Sequence, residues 1–177
     1  MNAVFGSFLK GGYAYNFANG PDVITTEAEA AQSGLNCIAL IHLLIRRLYD
    51  MRLPGNVKGW EMYCDNPYFT QIPSLDDAKL GDVLFCGRQE LPAYALAYHP
   101  TYNDQRELTN QEVGDKLIGQ QYAGIHLAMY TGDKDDAGSP LLIHANKLEG
   151  TVAIWPLAKF TSLEQYATIH AVKRVIR

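Results

Sequence analysis

A cysteine at position 37 stands directly after an asparagine, at the start of the most regular apolar stretch in the chain. Ile38, Ile41, Leu44, Ile45 and Leu48 recur at helical spacing, and Leu40 and Leu43 widen the stripe. Cys37 to Asp50 therefore reads as a nearly all-buried helix. Asn36 suits its N-cap, and Pro54-Gly55 closes the segment. A thiol in that first turn feels the positive end of the helix dipole and the backbone N–H groups that lack a helical partner. Both favour thiolate, and such sites bring a cysteine pKa from about 8.5 into the ~3.5–7.5 range. The same N–H groups can hold an oxyanion formed after attack.

Two histidines supply what a thiol nucleophile needs. In the run Ile125 to Thr131, alternation puts Ile125, Leu127 and Met129 on one face of a strand. His126 then shares the other face with Ala128 and Tyr130. In the next run, Leu141, Ile143 and Ala145 alternate with Leu142, His144 and Asn146. If the two strands are paired neighbours, both imidazoles meet on one face. A thiol, a histidine and a second polar residue are the nucleophile, base and base-orienter of cysteine catalysis. A zinc site from Cys37, His126 and His144 lacks an evident fourth ligand, so no metal and no cofactor is expected.

The elements that must position these residues follow from the rest of the pattern. Residues 1 to 24 are Gly- and Tyr-rich and read as irregular. Thr25 to Gln32 has a capping Thr and early Glu residues, which predicts a short helix ending near Ser33-Gly34. Strands are expected at Val83 to Cys86, Ile125 to Thr131, Leu141 to Ala145, Val152 to Trp155 and Thr168 to Ile176. Between the first two lies a long polar, Tyr-rich insertion, residues 88 to 123, with a helix expected at Asn110 to Ile118. Helices first and strands afterwards argue for one α+β domain with an antiparallel sheet.

Composition narrows the function classes. The 177 residues are 47 % apolar and 19 % charged, which excludes a disordered or collagen-like chain. A mass of 19.7 kDa predicts a folded accessible surface of roughly 8,600 Å², enough enclosed volume for a core without disulfides. The net charge of −4, with no basic run longer than Arg46-Arg47, argues against nucleic-acid binding. No signal peptide is read at the N-terminus, and the apolar run Cys37 to Ile45 is too short to span a bilayer. Cys64 and Cys86 read as structural thiols, and His42 as a core histidine.

Four segments together resemble the NlpC family of cell-wall cysteine peptidases, a circularly rearranged papain-like group. They are Gly34-Leu35-Asn36-Cys37-Ile38-Ala39-Leu40, Lys79-Leu80-Gly81-Asp82-Val83-Leu84-Phe85, Gly124 to Asp133, and Ile143-His144-Ala145-Asn146 with Gly150 to Ile154. They occur in the family's order and span roughly residues 30 to 160. The resemblance implies a papain-like fold, with the nucleophile helix packed on an antiparallel sheet. It makes Cys37 the nucleophile, His126 the base and acid, and His144 the third polar residue. A tyrosine upstream of the nucleophile contacts substrate in that family, a place open to Tyr13 or Tyr15, and Asn36 stands where the family has an Asp beside the nucleophile.

The implied activity is cleavage of an amide bond in peptidoglycan stem peptides, for example between γ-D-glutamate and the diamino acid. Cytoplasmic recycling, a phage or conjugation lysin, and an effector delivered by a secretion machine, with its immunity or delivery protein, all fit a chain without a leader. Ile38 and Ala39 depart from the family's Ser-Gly. That departure leaves open a catalytically inactive binding module on the same fold. The Asn-Cys pair is also similar to the lecithin–retinol acyltransferase-like branch, which places its His before its Cys; the order here is the reverse.

Overall fold

From Phe69 onward the chain forms a six-stranded antiparallel sheet in the order β1-β6-β2-β3-β4-β5. The computed structural model describes residues 2–88, 90–110 and 125–177. The strands are β1 (Phe69–Gln71), β2 (Val83–Gly87), β3 (His126–Lys134), β4 (Pro140–Asn146), β5 (Thr151–Pro156) and β6 (Thr168–Val175). The helices are α1 (Ala3–Lys10), α2 (Glu27–Ser33), α3 (Cys37–Tyr49), α4 (Gly59–Tyr63), α5 (Ala93–Leu96) and α6 (Leu157–Thr161). The class is α+β, and the total accessible surface is 8861 Å².

Each face of the sheet has its own core. On one, Val83, Phe85, Leu127, Met129, Ile143 and Ala145 pack against α3 and against Phe5 and Phe8 of α1. On the other, Leu84, Cys86, Ala128, Tyr130, Leu142 and Trp155 pack beneath Phe160 of α6 and Tyr166 of a 3-10 turn, Glu164–Tyr166. The period of two along each strand sorts the residues between the faces. On β6, the pairing shifts from Phe85↔Ala171 to Cys86↔Ile169, so His170 is the extra residue of a bulge. The bulge reverses the alternation, and Ile169 joins the cluster that holds Cys86.

The helix α1 corrects the expectation of an irregular start. Asn2 caps it by accepting from the Val4 N–H, and Phe5 and Phe8, one turn apart, are both fully buried. An eight-residue helix is marginal by itself, so packing of those two rings stabilises it more than propensity does. Residues 13–16 are pinned on two sides. The Tyr15 N–H donates to the Gly150 carbonyl, and the Asn16 N–H donates to the carbonyl of Leu35. Gly34 has φ +76°, and a Cβ there would lie 2.6 Å from the Ala14 carbonyl oxygen, so only glycine lets this strand-like segment run against the turn before Cys37.

The described part of the insertion packs on α4. Ala95 and Tyr98 cover Trp60, and the Tyr98 hydroxyl donates to the buried Glu61 carboxylate at 2.7 Å. The helix expected at Asn110 to Ile118 lies outside the described residues but for Asn110. No helix among the described residues is long and apolar enough to cross a membrane.

Candidate active site

Asn36 and Cys37 take their places as the sequence implies. The Asn36 side-chain oxygen accepts from the N–H groups of Ile38 and Ala39, at 3.0 and 2.9 Å, and its amide donates to the Phe17 carbonyl. Asn36 therefore acts as a cap with its side chain fully engaged, rather than presenting it to a substrate. The Asn36 carbonyl also accepts from Leu40. Two N–H groups that lack a helical partner are thus taken by the cap, so the helix start offers fewer donors to an oxyanion than expected. Cys37 itself is half-buried.

The two histidines meet. His126 Nε2 lies 3.0 Å from His144 Nδ1, with the rings edge-on at 86°. Strands β3 and β4 pair with Met129 opposite Ile143 and Tyr130 opposite Leu142, which puts both imidazoles on one face. That face is the one turned away from α3. An aromatic box encloses the pair: Tyr166 lies 4.5 Å from the His126 ring, and Phe160 and Trp155 lie 4.6 and 4.7 Å from the His144 ring. Burial holds both imidazoles well below the ordinary histidine pKa, and at His144 the neighbouring His126 and then Lys159 lower it further. They are neutral at physiological pH. His126, the first residue of β3, is 9 % exposed, whereas His144 is fully enclosed and its Nε2 has no partner.

Tyr166 covers one side of the histidine pair. Its ring lies on His126, and burial first, then the charge of Cys37, push its phenol up. Tyr15 stands in the same group: burial first, then the nearby Cys37 and Tyr166, push its phenol up to about 12. The structure thus separates the two tyrosines that the sequence left open. Tyr15 is beside Cys37. Tyr13 is buried against Phe8, and its hydroxyl donates to Glu27.

The remaining candidates serve the fold. His42 Nε2 pairs with the Val57 carbonyl at 2.7 Å, and burial lowers its pKa to about 4. The Cys64 thiol donates to the Tyr98 carbonyl and is pushed up to about 11 by burial; Cys86 is enclosed and pushed up to about 12. Cys86 sits directly across from His126 in the β2–β3 register. Among the described residues, no three His, Cys, Asp or Glu side chains are grouped to hold a metal ion.

Tyr166, Phe160 and Trp155 are the site residues that sequence reading missed. Trp155 was legible as a strand residue, but nothing local marks Phe160 or Tyr166 as its partners over the histidines. Compared with protein-family models, with curated proteins and with solved structures, the chain matches none.

Proposed function

We propose that the protein is a cysteine hydrolase of amide bonds, built on the papain-like plan that its four motifs resemble. The observation that carries this reading is the His126–His144 pair, hydrogen-bonded at 3.0 Å, in a fold that also holds a half-buried cysteine at a helix start. His126 is neutral, so it is a base able to take a proton rather than one half of a resting ion pair. With His126 Nε2 bonded to His144, Nδ1 is the nitrogen left for proton transfer.

The Cys37 sulfur attacks the acyl carbon as His126 takes the thiol proton, and the carbonyl oxygen becomes the oxyanion. The C–N bond then breaks, and His126 returns that proton to the leaving amine. A water, deprotonated by His126, attacks the thioester. The acid departs, and the proton held on His126 restores the thiol. The substrate class best supported by the resemblance is the stem peptide of peptidoglycan, at the bond between γ-D-glutamate and the diamino acid. Digestion of purified muropeptides tests it. The expected result is a Cys37-dependent gain of one water and release of the diamino-acid fragment; no cleavage of any stem peptide removes that substrate class.

A second reading has an observation in its favour. The helix bearing Cys37 packs on the sheet face opposite the histidines, and both imidazoles are sealed beneath aromatic rings. A binding module that keeps the fold without the chemistry would have the same arrangement. Iodoacetamide labelling decides between them: a nucleophile predicts that Cys37 labels far faster than Cys64 and Cys86 and slows in His126→Ala. Equal, slow labelling of Cys37 in both proteins favours the binding module.

A further inference from the structure

A cleft of about 160 Å³ opens beside the C-terminal half of α3. Its floor is apolar, since Ile24, Leu43 and Leu53 line it and are each buried. Two guanidiniums stand over that floor: Arg46, one turn after His42 on α3, and Arg52, just beyond the helix. Neither has a carboxylate partner among the described residues. Arg46 is held in place by donating from Nη1 to the Thr25 carbonyl at 3.1 Å, which leaves the rest of its fork of donors. The one acid in the lining, Asp22, is already bonded to Lys58 at 3.0 Å. The balance of charge in the cleft therefore favours an anion.

His42 adds a second requirement. It lines the same cleft and is 9 % exposed, and its Nε2 lies 2.7 Å from the Val57 carbonyl. A carbonyl oxygen only accepts, so Nε2 carries the ring hydrogen of this neutral imidazole and Nδ1 is a bare acceptor. Nδ1 makes no hydrogen bond among the described residues, so it is the polar atom that the ring leaves to the cleft. A ligand that satisfies every wall has an anionic group for the guanidiniums, a donor for Nδ1 and a short apolar part for the floor. An ammonium as donor would be repelled by the two arginines, whereas a hydroxyl is neutral. Pockets for drug-sized ligands measure roughly 300–1,000 Å³, so this smaller cleft takes only a few heavy atoms. We propose that the cleft binds a small 2-hydroxycarboxylate. Its carboxylate accepts from Arg46 and Arg52, its hydroxyl donates to His42 Nδ1, and its alkyl part lies on Ile24, Leu43 and Leu53.

Titration of the full chain, followed in ¹H–¹⁵N spectra of the backbone amides and the imidazole nitrogens, tests this. The probes are L- and D-lactate, with propionate, alanine and inorganic phosphate beside them. The expected result is saturable shifts at the amides of Thr25, Leu43 and Leu53, together with movement of the His42 Nδ1 resonance on adding lactate. Propionate matches lactate but lacks the hydroxyl. It should bind about 10-fold more weakly and leave the Nδ1 resonance in place. Arg52→Gln alters an exposed side chain and should weaken lactate about 10-fold or more.

The absence of saturable shifts at the cleft with either enantiomer overturns the proposal. Propionate or phosphate binding as tightly as lactate also overturns it, because the hydroxyl is then not recognised. Alanine binding more tightly than lactate makes the donor an ammonium and sinks the hydroxycarboxylate. Lactate affinity unchanged in Arg52→Gln removes the guanidinium contact on which the assignment depends. None of these outcomes bears on Cys37, so the hydrolase reading stands or falls separately.

Discussion

The two faces of the sheet are built from the same strands and hold very different interiors. The face under α1 and α3 is aliphatic and aromatic throughout, with Val83, Phe85, Leu127, Met129, Ile143 and Ala145 as its floor. The other face buries His126, His144 and Asn146 among Trp155, Phe160 and Tyr166. An aliphatic floor gains from every buried methylene and demands no partners. A polar one is unfavourable unless each group is bonded, and here two are not: His144 Nε2 and Asn146 Nδ2 are enclosed without acceptors. A fold seeking only stability would have apolar residues at both positions; the second face keeps polar groups at a cost in stability that the first face offsets, as the proposed chemistry would require.

Adjacent residues on β3 give the sharpest way to break this contrast. His126→Ala should lower the turnover of an acyl substrate by about 10⁴-fold or more, since nucleophile and base act as a unit, far beyond what the cavity it leaves takes from stability. Steady-state rates together with a thermal melt check it, and a large melting shift with activity retained would reverse the assignment of the faces. Leu127→Ala, one residue on and pointing the other way, should destabilise by about 2–5 kcal/mol through the cavity it leaves. Urea unfolding should show this as a lower midpoint, with the rate per folded molecule kept.

Acidity should act mainly through the histidines. His42, His126 and His144 have folded pKa values below the ordinary histidine value, so the unfolded chain binds protons that the folded chain refuses. Their contribution is fully present above pH ~6.5 and is lost as pH falls below it, by about 1.4 kcal/mol per pH unit for each. Urea unfolding between pH 7 and 5 should show that slope, and His42→Gln should make it shallower by one histidine's share. The smallest effect belongs to the cap: Asn36→Ala should cost about 1 kcal/mol of stability. By freeing the N–H groups of Ile38 and Ala39, it should also leave acylation at Cys37 no slower. A large fall in acylation without destabilisation would return Asn36 to the substrate-contacting role.

The helix α3 and the five later strands were legible, with edges within two or three residues, because each is an apolar run bounded by polar or turn residues. The meeting of His126 and His144 was legible from alternation, once the strands were taken as neighbours. Short elements left no such trace. The three-residue β1 and the five-residue α4 are too brief for a period to develop, and α1 depends on contacts of Phe5 and Phe8 with distant residues. Asn36 has one side chain, and reading it as both cap and substrate contact overlooked that the cap uses both ends of the amide. Tyr166 was out of reach for a topological reason: it comes to His126 from a separate turn, forty residues along the chain.

The position of β6 has a consequence for how the molecule is made. This strand, last in the chain, lies between β1 and β2, and the turn bearing Tyr166 immediately precedes it. On the ribosome, β2 to β5 can emerge and pair as neighbours while β1 waits with no strand beside it. Only when β6 has left the exit tunnel can the sheet close and the aromatic cover settle over the histidines. The order of translation thereby places the covering of the histidines after the pairing of β2 to β5.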